Sequence, residues 1–208
     1  LPEGKMKSRE GTVVDADDLI NSLRDGALEE ISAKGREDAV GNPEVVAEKI
    51  ALGALHYYLL QATPTKDMLF NPKESLSFNG NTGPYLQYMG ARICSILRKA
   101  QETGVSVASY DKASNMLTHE AEWDLVKLLG DYPKVVAKAA ATLDPSQVAG
   151  YLYDVAKSFG RFYHDCPALG IASDNPELAS ARLALMSVTK KVLENGMDLI
   201  LVPFLETM

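Results

Sequence analysis

Two tyrosines and two cations share one predicted helical face between residues 84 and 102. Its members recur at steps of three or four residues, the spacing that keeps side chains on one side of an α-helix. They are Tyr85, Tyr88, Arg92, Ser95 and Lys99. Phenol rings can stack on unpaired nucleobases, and the cations beside them can hold phosphate, as in proteins that read single-stranded RNA. This face is therefore a candidate RNA-binding surface.

Periodicity alone also allows a purely structural interpretation of this face. An adjacent stripe of the same segment is apolar and would be buried; it contains Leu86, Met89, Ile93, Ile96, Leu97 and Ala100. The tyrosines could then plug a helix interface with their hydroxyls at its rim, and Arg92 could pair with an acid. The run Arg161-Phe162-Tyr163-His164 likewise places a cation near a ring, which by itself more often reflects packing. Both interpretations stay open on these grounds.

A second candidate is the loop at residues 4–11, where Lys5, Lys7 and Arg9 lie between Gly4 and Gly11. Glycines let backbone N–H groups approach a phosphate, and cations can offset charge that grows on a leaving pyrophosphate. A solvated, lysine-rich terminus is the alternative explanation. The pattern is weak without support from elsewhere in the chain.

Composition narrows the class of protein. The 208 residues are 46% hydrophobic with a net charge of −7, which argues against binding nucleic acid through bulk electrostatics. The acids concentrate early, with 12 Asp and Glu against 7 Lys and Arg in residues 1–50, whereas residues 85–170 carry nine of each. The two cysteines are widely separated, which predicts reduced, buried thiols in a cytoplasmic protein. The three scattered histidines give no metal-binding pattern. No apolar run is long enough to span a membrane.

Segments rich in Ala, Leu, Lys and Glu recur at helical lengths, which predicts an all-α protein. Asn or Asp followed by Pro marks three helix starts, at Asn42-Pro43, Asp144-Pro145 and Asn175-Pro176. The predicted helices cover residues 15–34, 43–61, 84–102, 118–130, 133–143, 145–164 and 176–195, the last ending in a left-handed cap at Asn195-Gly196. Short apolar runs between them, Met68-Leu69-Phe70 and Leu76-Ser77-Phe78, form two small strands or an ordered connection. We expect a bundle of five or six helices.

Two motifs carry a resemblance to a known family. The first, Lys5-Met6-Lys7-Ser8, resembles the Lys-Met-Ser-Lys-Ser signature of class I aminoacyl-tRNA synthetases. The second is similar to the signature of arginyl-tRNA synthetases and reads Gly80-Asn81-Thr82-Gly83-Pro84-Tyr85-Leu86-Gln87-Tyr88, followed by Ala91-Arg92. Further similar segments are Tyr151-Leu152, Phe162-Tyr163, Arg182-Leu183-Ala184-Leu185 and the ending Glu206-Thr207-Met208. The resemblance extends over essentially the whole chain.

The resemblance implies the C-terminal part of an enzyme that joins arginine to its tRNA. Residues 1–75 would end the catalytic domain, and residues 76–208 would form a helical bundle of the class I synthetase anticodon-binding type. The ATP loop would consist of Lys5, Met6, Lys7 and Ser8. The loop departs from the family signature at two of these positions, so which cation contacts phosphate stays open. ATP with Mg²⁺ would serve the full-length enzyme, and we expect no cofactor and no aminoacylation for this chain alone.

In the helical domain, tRNA contact is expected at Tyr85, Tyr88, Arg92, Tyr163 and Met208 from the resemblance, and at Lys99 from the helical face. The implied partners of this monomer are the anticodon loop of arginine tRNA, with its middle cytosine, and a catalytic domain upstream in the same chain. Thr207 stands where the family ends in Arg, which puts a cationic contact from the tail in doubt. A fragment of the cysteinyl or methionyl enzyme and a helical protein–protein module remain the alternatives.

Overall fold

The computed structural model describes residues 14–33 and 41–208. All the regular elements of these ranges are helical, which confirms the predicted all-α class. The α-helices in chain order are α1 (Ala16–Ala33), α2 (Pro43–Leu60), α3 (Pro72–Ser75), α4 (Gly83–Glu102), α5 (Tyr110–Met116), α6 (Glu120–Gly130), α7 (Tyr132–Thr142), α8 (Ser146–Asp165) and α9 (Pro176–Leu199), with a 3₁₀ turn at Leu169–Ile171 before α9.

The predicted helix starts are confirmed. The side chain of Asn42 accepts hydrogen bonds from the backbone at the start of α2, and that of Asn175 does the same for α9. At the third start, Asp144 Oδ1 accepts from the backbone N–H of Ser146 at 3.1 Å, so the helix begins one residue after Pro145. These side chains satisfy N–H groups that a helix cannot pair internally.

The main hydrophobic core lies where α4, α6, α8 and α9 face one another. Its largest fully buried side chains include Leu86, Ile93, Leu125, Leu152, Phe159, Phe162 and Leu183. Both phenylalanines of α8 therefore face the core. None of the helices in the described ranges is both long and apolar enough to cross a membrane.

Helices α1 and α2 pack against each other and enclose two smaller clusters. From α2, Tyr57 extends into the main core, where its hydroxyl donates to the Ala149 carbonyl of α8 at 3.0 Å. Burial raises the pKa of Tyr57, so this hydroxyl stays protonated and keeps its role as a donor. The α1–α2 pair is thereby tied to the helices that follow it.

The segment between α2 and α4 is an ordered connection, the second of the two predicted possibilities, and contains no strand. It includes only the single turn α3, capped by Asn71. The apolar runs are held by contacts with α2: the Tyr58 ring meets that of Phe70 edge-on at 5.0 Å, and the Tyr58 hydroxyl donates to the Leu69 carbonyl at 2.9 Å.

The predicted left-handed cap at Asn195-Gly196 is wrong, because α9 continues to Leu199. Gly196 is instead a packing residue: a Cβ added there would lie 2.5 Å from Leu152 Cδ2. The left-handed backbone comes later, at Leu201 with φ 56°. Tertiary contact with α8 therefore outweighs the local signal of an Asn-Gly pair.

The number of helices was underestimated. The described ranges contain nine α-helices, two more than the seven predicted segments, and the additional ones are the short α3 and α5. The short α5 was missed because its sequence has a single buried residue, Ala113, and so carries almost no helical periodicity.

Glu122 and Arg182 form a buried ion pair that joins α6 to α9. Arg182 Nε donates to Glu122 Oε1 at 2.6 Å, and the two side chains are 10% and 0% exposed. The other carboxylate oxygen accepts from the backbone N–H groups of Thr118 and His119, both at 2.8 Å. Arg182 Nη1 donates to the Pro167 carbonyl at 2.9 Å. This network fixes α6, α9 and the segment after α8 relative to one another.

The two cysteines are buried and free, as predicted. Burial raises the pKa of both Cys94 and Cys166. A thiol that stays protonated is a poor nucleophile and a poor metal ligand. Both residues therefore serve as small core side chains.

Replacing Arg182 by Ala should destabilise the fold by about 3–5 kcal/mol, because the buried Glu122 carboxylate would lose its charge partner. Urea unfolding followed by circular dichroism measures the change. Arg161→Ala is the matched control: its guanidinium is half exposed and pairs with Glu120, Asp124 and Asp165 at the surface, so the cost should stay below about 1 kcal/mol. Equal losses in the two variants would contradict a structural role for the buried pair.

Candidate nucleic-acid interface

Helix α4 is held at backbone contact with α2. A Cβ added at Gly83 would lie 2.0 Å from the Gly53 carbonyl oxygen, so only glycine allows this approach. Thr82 caps the helix by accepting from the Tyr85 N–H at 3.3 Å, and Pro84 occupies its first turn. The direction of the outward face of α4 is therefore set by local sequence and by the α2 backbone together.

Buried Gln87 adds a polar tie on the opposite side of α4. Its Nε2 donates to the carbonyls of Lys49 in α2 and Pro203 in the C-terminal segment, both at 2.9 Å. Gln87 is completely buried. One side chain thus joins α4 to α2 and to the C-terminal segment.

Helix α8 lies beside α4 and buries Val155, Phe159 and Phe162 in the core. Tyr163, next in sequence, falls at the edge of that face and remains 38% exposed. Its ring contacts that of Phe159 at 6.2 Å between centroids. The core of α8 therefore supports an aromatic ring that still reaches solvent.

Arg92 lies between two tyrosine rings at the edge where α4 meets α8. Its guanidinium carbon is 5.2 Å from the centre of the Tyr88 ring and 4.8 Å from that of Tyr163, within the range of cation–π attraction. Among the described residues, none forms an ion pair with Arg92. The rings hold this cation in place while its N–H groups stay available to a ligand.

A cleft of about 360 Å³ opens beside this cation–ring group. Its lining residues come from α4, α8 and the C-terminus: Tyr88, Ala91, Arg92, Ser95, Ile96, Arg98, Tyr163, Thr207 and Met208. We call this the α4–α8 cleft. It combines stacking surface, two cations and an apolar side chain, groups that can hold an unpaired nucleotide.

The C-terminal segment packs against α4 and the α1–α2 cluster before it reaches the α4–α8 cleft. Phe204 packs directly on Gly90, where a Cβ would lie 2.6 Å from its ring. Leu205 is 4% exposed and joins the small cluster between α1 and α2. Arg98 Nη1 donates to the Glu206 carbonyl at 3.2 Å, and Lys190 Nζ pairs with the Glu206 carboxylate at 3.2 Å. These contacts place the last two residues at the cleft.

Some of the predicted contact residues lie together at the α4–α8 cleft, and others lie elsewhere. Tyr88, Arg92, Tyr163 and Met208 line the α4–α8 cleft. Tyr85 lies one turn earlier, where its ring meets that of Tyr153 at 5.9 Å. Burial, followed by the neighbouring Tyr153, raises the pKa of Tyr85, although Arg92 opposes the rise, so its hydroxyl remains a donor.

Lys99 and the predicted ATP loop stand apart from the α4–α8 cleft. Lys99 is exposed and lies seven residues beyond Arg92, roughly 10 Å along the helix. The loop residues Lys5, Met6, Lys7 and Ser8 fall outside the described residues.

Sequence reasoning missed Arg98, which lines the cleft, and Tyr153, which contacts Tyr85. The missed signal for Tyr153 is local: Lys157 follows it by four residues, as Arg92 follows Tyr88. Arg98 also had a local signal, because it follows Ser95 of the predicted face by three residues.

The three histidines have structural surroundings. His119 caps α6 by accepting from the Ala121 N–H at 3.2 Å, His56 Nδ1 lies 2.6 Å from the Leu201 carbonyl oxygen, and His164 Nδ1 lies 2.8 Å from Asp165. Across the described part of the chain, no group of three or more His, Cys, Asp and Glu could hold a metal ion.

Comparison with protein families gives a match to the DALR anticodon binding domain over residues 86–208. Among curated proteins, the chain is 59% identical over 210 residues to the arginine–tRNA ligase of Treponema denticola, covering all of this chain and 35% of that protein. It is 57% identical to the enzyme of the same name from Treponema pallidum, again covering 35% of its length. The chain therefore spans about a third of the curated relatives that it matches.

Among solved structures, the chain is similar to Thermus thermophilus arginyl-tRNA synthetase, with a TM-score of 0.86, 30% identity and coverage of 99% of this chain and 34% of that one. The arginyl-tRNA synthetase of Plasmodium falciparum gives a TM-score of 0.79 at 26% identity, with coverage of 94% and 34%. Similarity of fold and similarity of sequence thus extend over the same residues.

Proposed function

This chain belongs to the DALR anticodon-binding domain family, and from that membership we propose that it corresponds to the C-terminal part of an arginine–tRNA ligase and binds the anticodon loop of arginine tRNA. The family match over residues 86–208 includes every residue that lines the α4–α8 cleft. Curated relatives that carry the name arginine–tRNA ligase favour arginine over the cysteinyl and methionyl alternatives.

The observation that carries the proposal is the guanidinium of Arg92 held between the rings of Tyr88 and Tyr163 at the mouth of the cleft. An unpaired base can stack on an exposed phenol, while the guanidinium donates to the base edge or to a phosphate. Met208 can then close against the base from the C-terminus, because a thioether side chain adapts its shape to what it contacts. The cleft would hold a base that has left the loop's own stack.

The chemistry of aminoacylation would occur elsewhere in the whole enzyme, which we propose uses ATP with Mg²⁺ and acts in the cytoplasm as a monomer. The contribution proposed for Lys5, Met6, Lys7 and Ser8 is one side of the ATP site. The helical domain would orient the tRNA by fixing its anticodon loop. This division of labour predicts tRNA binding without aminoacylation for the 208-residue chain alone.

Filter binding with transcripts of arginine tRNA should give saturable retention that weakens as salt rises, because phosphate contacts release counterions. Changing the middle base of the anticodon should weaken binding by about 1–3 kcal/mol, whereas a change in the acceptor stem should have little effect. Equal retention of tRNAs with unrelated anticodons would refute the arginine assignment. Absence of any binding at low salt would favour a protein–protein module.

Replacing Tyr88 by Leu should weaken RNA binding by about 1–3 kcal/mol, because Leu keeps apolar volume but offers no flat ring for stacking. Tyr88→Phe should retain most of the affinity. Tyr110→Leu is the matched control, since that ring is 64% exposed and lines a separate apolar cavity. A large fall in melting temperature for Tyr88→Leu with unchanged RNA affinity would instead make the ring a packing residue.

Replacing Lys99 by Gln should lower the slope of log affinity against log salt by about 0.7–0.9, the value for one lost phosphate contact. The slope is measured by repeating the binding titration at several salt concentrations. Lys134→Gln, an exposed lysine on α7, provides the comparison. If both variants keep the wild-type slope, Lys99 is not a phosphate contact.

A further inference from the structure

A second tyrosine–cation pair lies on α8, apart from the α4–α8 cleft. Lys157 Nζ is 5.4 Å from the centre of the Tyr153 ring. The two residues are four apart in sequence, the same separation as Tyr88 and Arg92. Lys157 is exposed and Tyr153 is partly exposed. The chain therefore presents two similar ring–cation pairs, one from each of two neighbouring helices.

These two pairs lie along one seam between α4 and α8. Tyr85 of α4 meets Tyr153 of α8 at 5.9 Å, and Arg92 of α4 meets Tyr163 of α8 at 4.8 Å. Both helices therefore run in the same direction here. At 1.5 Å per residue the two contacts are roughly 10–15 Å apart, which corresponds to about three or four nucleotides at the rise of a stacked strand.

Gly150 leaves the α8 backbone uncovered one turn before Tyr153. Farther along α8, a Cβ at Gly160 would lie 3.5 Å from Met89 Cε and 4.0 Å from the Tyr85 hydroxyl. Side chains of α4 therefore pack on the helix at this position. A Cβ at Gly150, one turn before Tyr153, would meet nothing within 4 Å. A glycine inside a helix costs stability relative to alanine, and no packing contact explains why position 150 is a glycine. Close approach of a ligand backbone to this position would explain it.

Polar groups are fixed at the Tyr153 end of the seam. The buried Tyr57 hydroxyl has two acceptors for its single proton, Asn81 Oδ1 and the Ala149 carbonyl beside Gly150. Asn81 is exposed, and its Nδ2 donates to Gln61 Oε1 at 3.1 Å. An amide held in this way can exchange hydrogen bonds with the edge of a base. Ring, ammonium and amide thus collect at one end of the seam.

We propose that Tyr153 and Lys157 form a second stacking position, which takes another unpaired nucleotide of the RNA loop that enters the α4–α8 cleft. The Tyr153 ring holds the base, and the Lys157 ammonium contacts the adjoining phosphate. Uncovered backbone at Gly150 leaves room for the sugar. This inference rests on the proposed function, because it assigns a second contact to the same RNA.

The probe is an RNA hairpin with the anticodon loop of arginine tRNA and one 2-aminopurine, placed in turn at each loop position except the middle anticodon base. Binding should quench the fluorescence at a position that stacks on Tyr153. Tyr153→Leu should abolish that quenching and weaken hairpin binding roughly 5- to 150-fold, since stacking on an aromatic side chain has that magnitude. Tyr153→Phe should restore both, and Tyr88→Leu should leave the quenching at this position in place.

Lys157→Gln provides a test that does not depend on how well a ring substitution folds, because Lys157 is exposed. It should reduce the salt slope of hairpin binding by about 0.7, whereas Lys134→Gln should not. If Tyr88→Leu weakens binding but the Tyr153 and Lys157 variants bind, quench and respond to salt like wild type, the second position is refuted and the proposed function stands. If the wild-type chain binds no hairpin at low salt, both are refuted.

Discussion

The backbone contact between α2 and α4 is the constraint on which the rest of the site depends. Gly83 meets the Gly53 carbonyl so closely that no side chain fits between them, and Gln87 then links α4 to α2 and to the C-terminal segment. With both neighbours fixed, α4 cannot rotate about its axis without taking the buried Gln87 Nε2 away from its two acceptors, which is costly. The tyrosine–arginine face is therefore held in its outward direction by contacts on the opposite side of the helix.

The C-terminal segment completes the cleft between α4 and α8. Leu205 belongs to the cluster of α1 and α2, while Thr207 and Met208 line the cavity beside Arg92. The last residues thus depend on helices from the start of the chain for their position. Neither α1 nor α2 lines the cleft. A change in their packing would nevertheless move Thr207 and Met208, because only a few residues separate Leu205 from the C-terminus.

The sequence predicted those features that depend on neighbours three or four residues away. The spacing of Tyr88 and Arg92 identified the face, and Asn-Pro pairs identified helix starts, because both are local. Features that depend on distant packing were missed or misjudged. Gly196 was predicted to be a cap because it follows Asn195. Its actual contact is with Leu152, which is distant in sequence and leaves no local pattern. The hydrogen bond from Arg98 to the Glu206 carbonyl spans 108 residues, and no local pattern predicts it.

The net charge of −7 and the proposed RNA contact fit together once the cations are considered separately. Arg161 is surrounded by three carboxylates and adds little field at the surface, whereas Arg92 faces rings instead of acids. An acidic surface repels a duplex whose phosphates are its main exposed feature. Rings discriminate further, because a paired base keeps its faces stacked within the helix and an unpaired base does not. On this proposal, the domain would select a loop over a stem through the geometry of its rings.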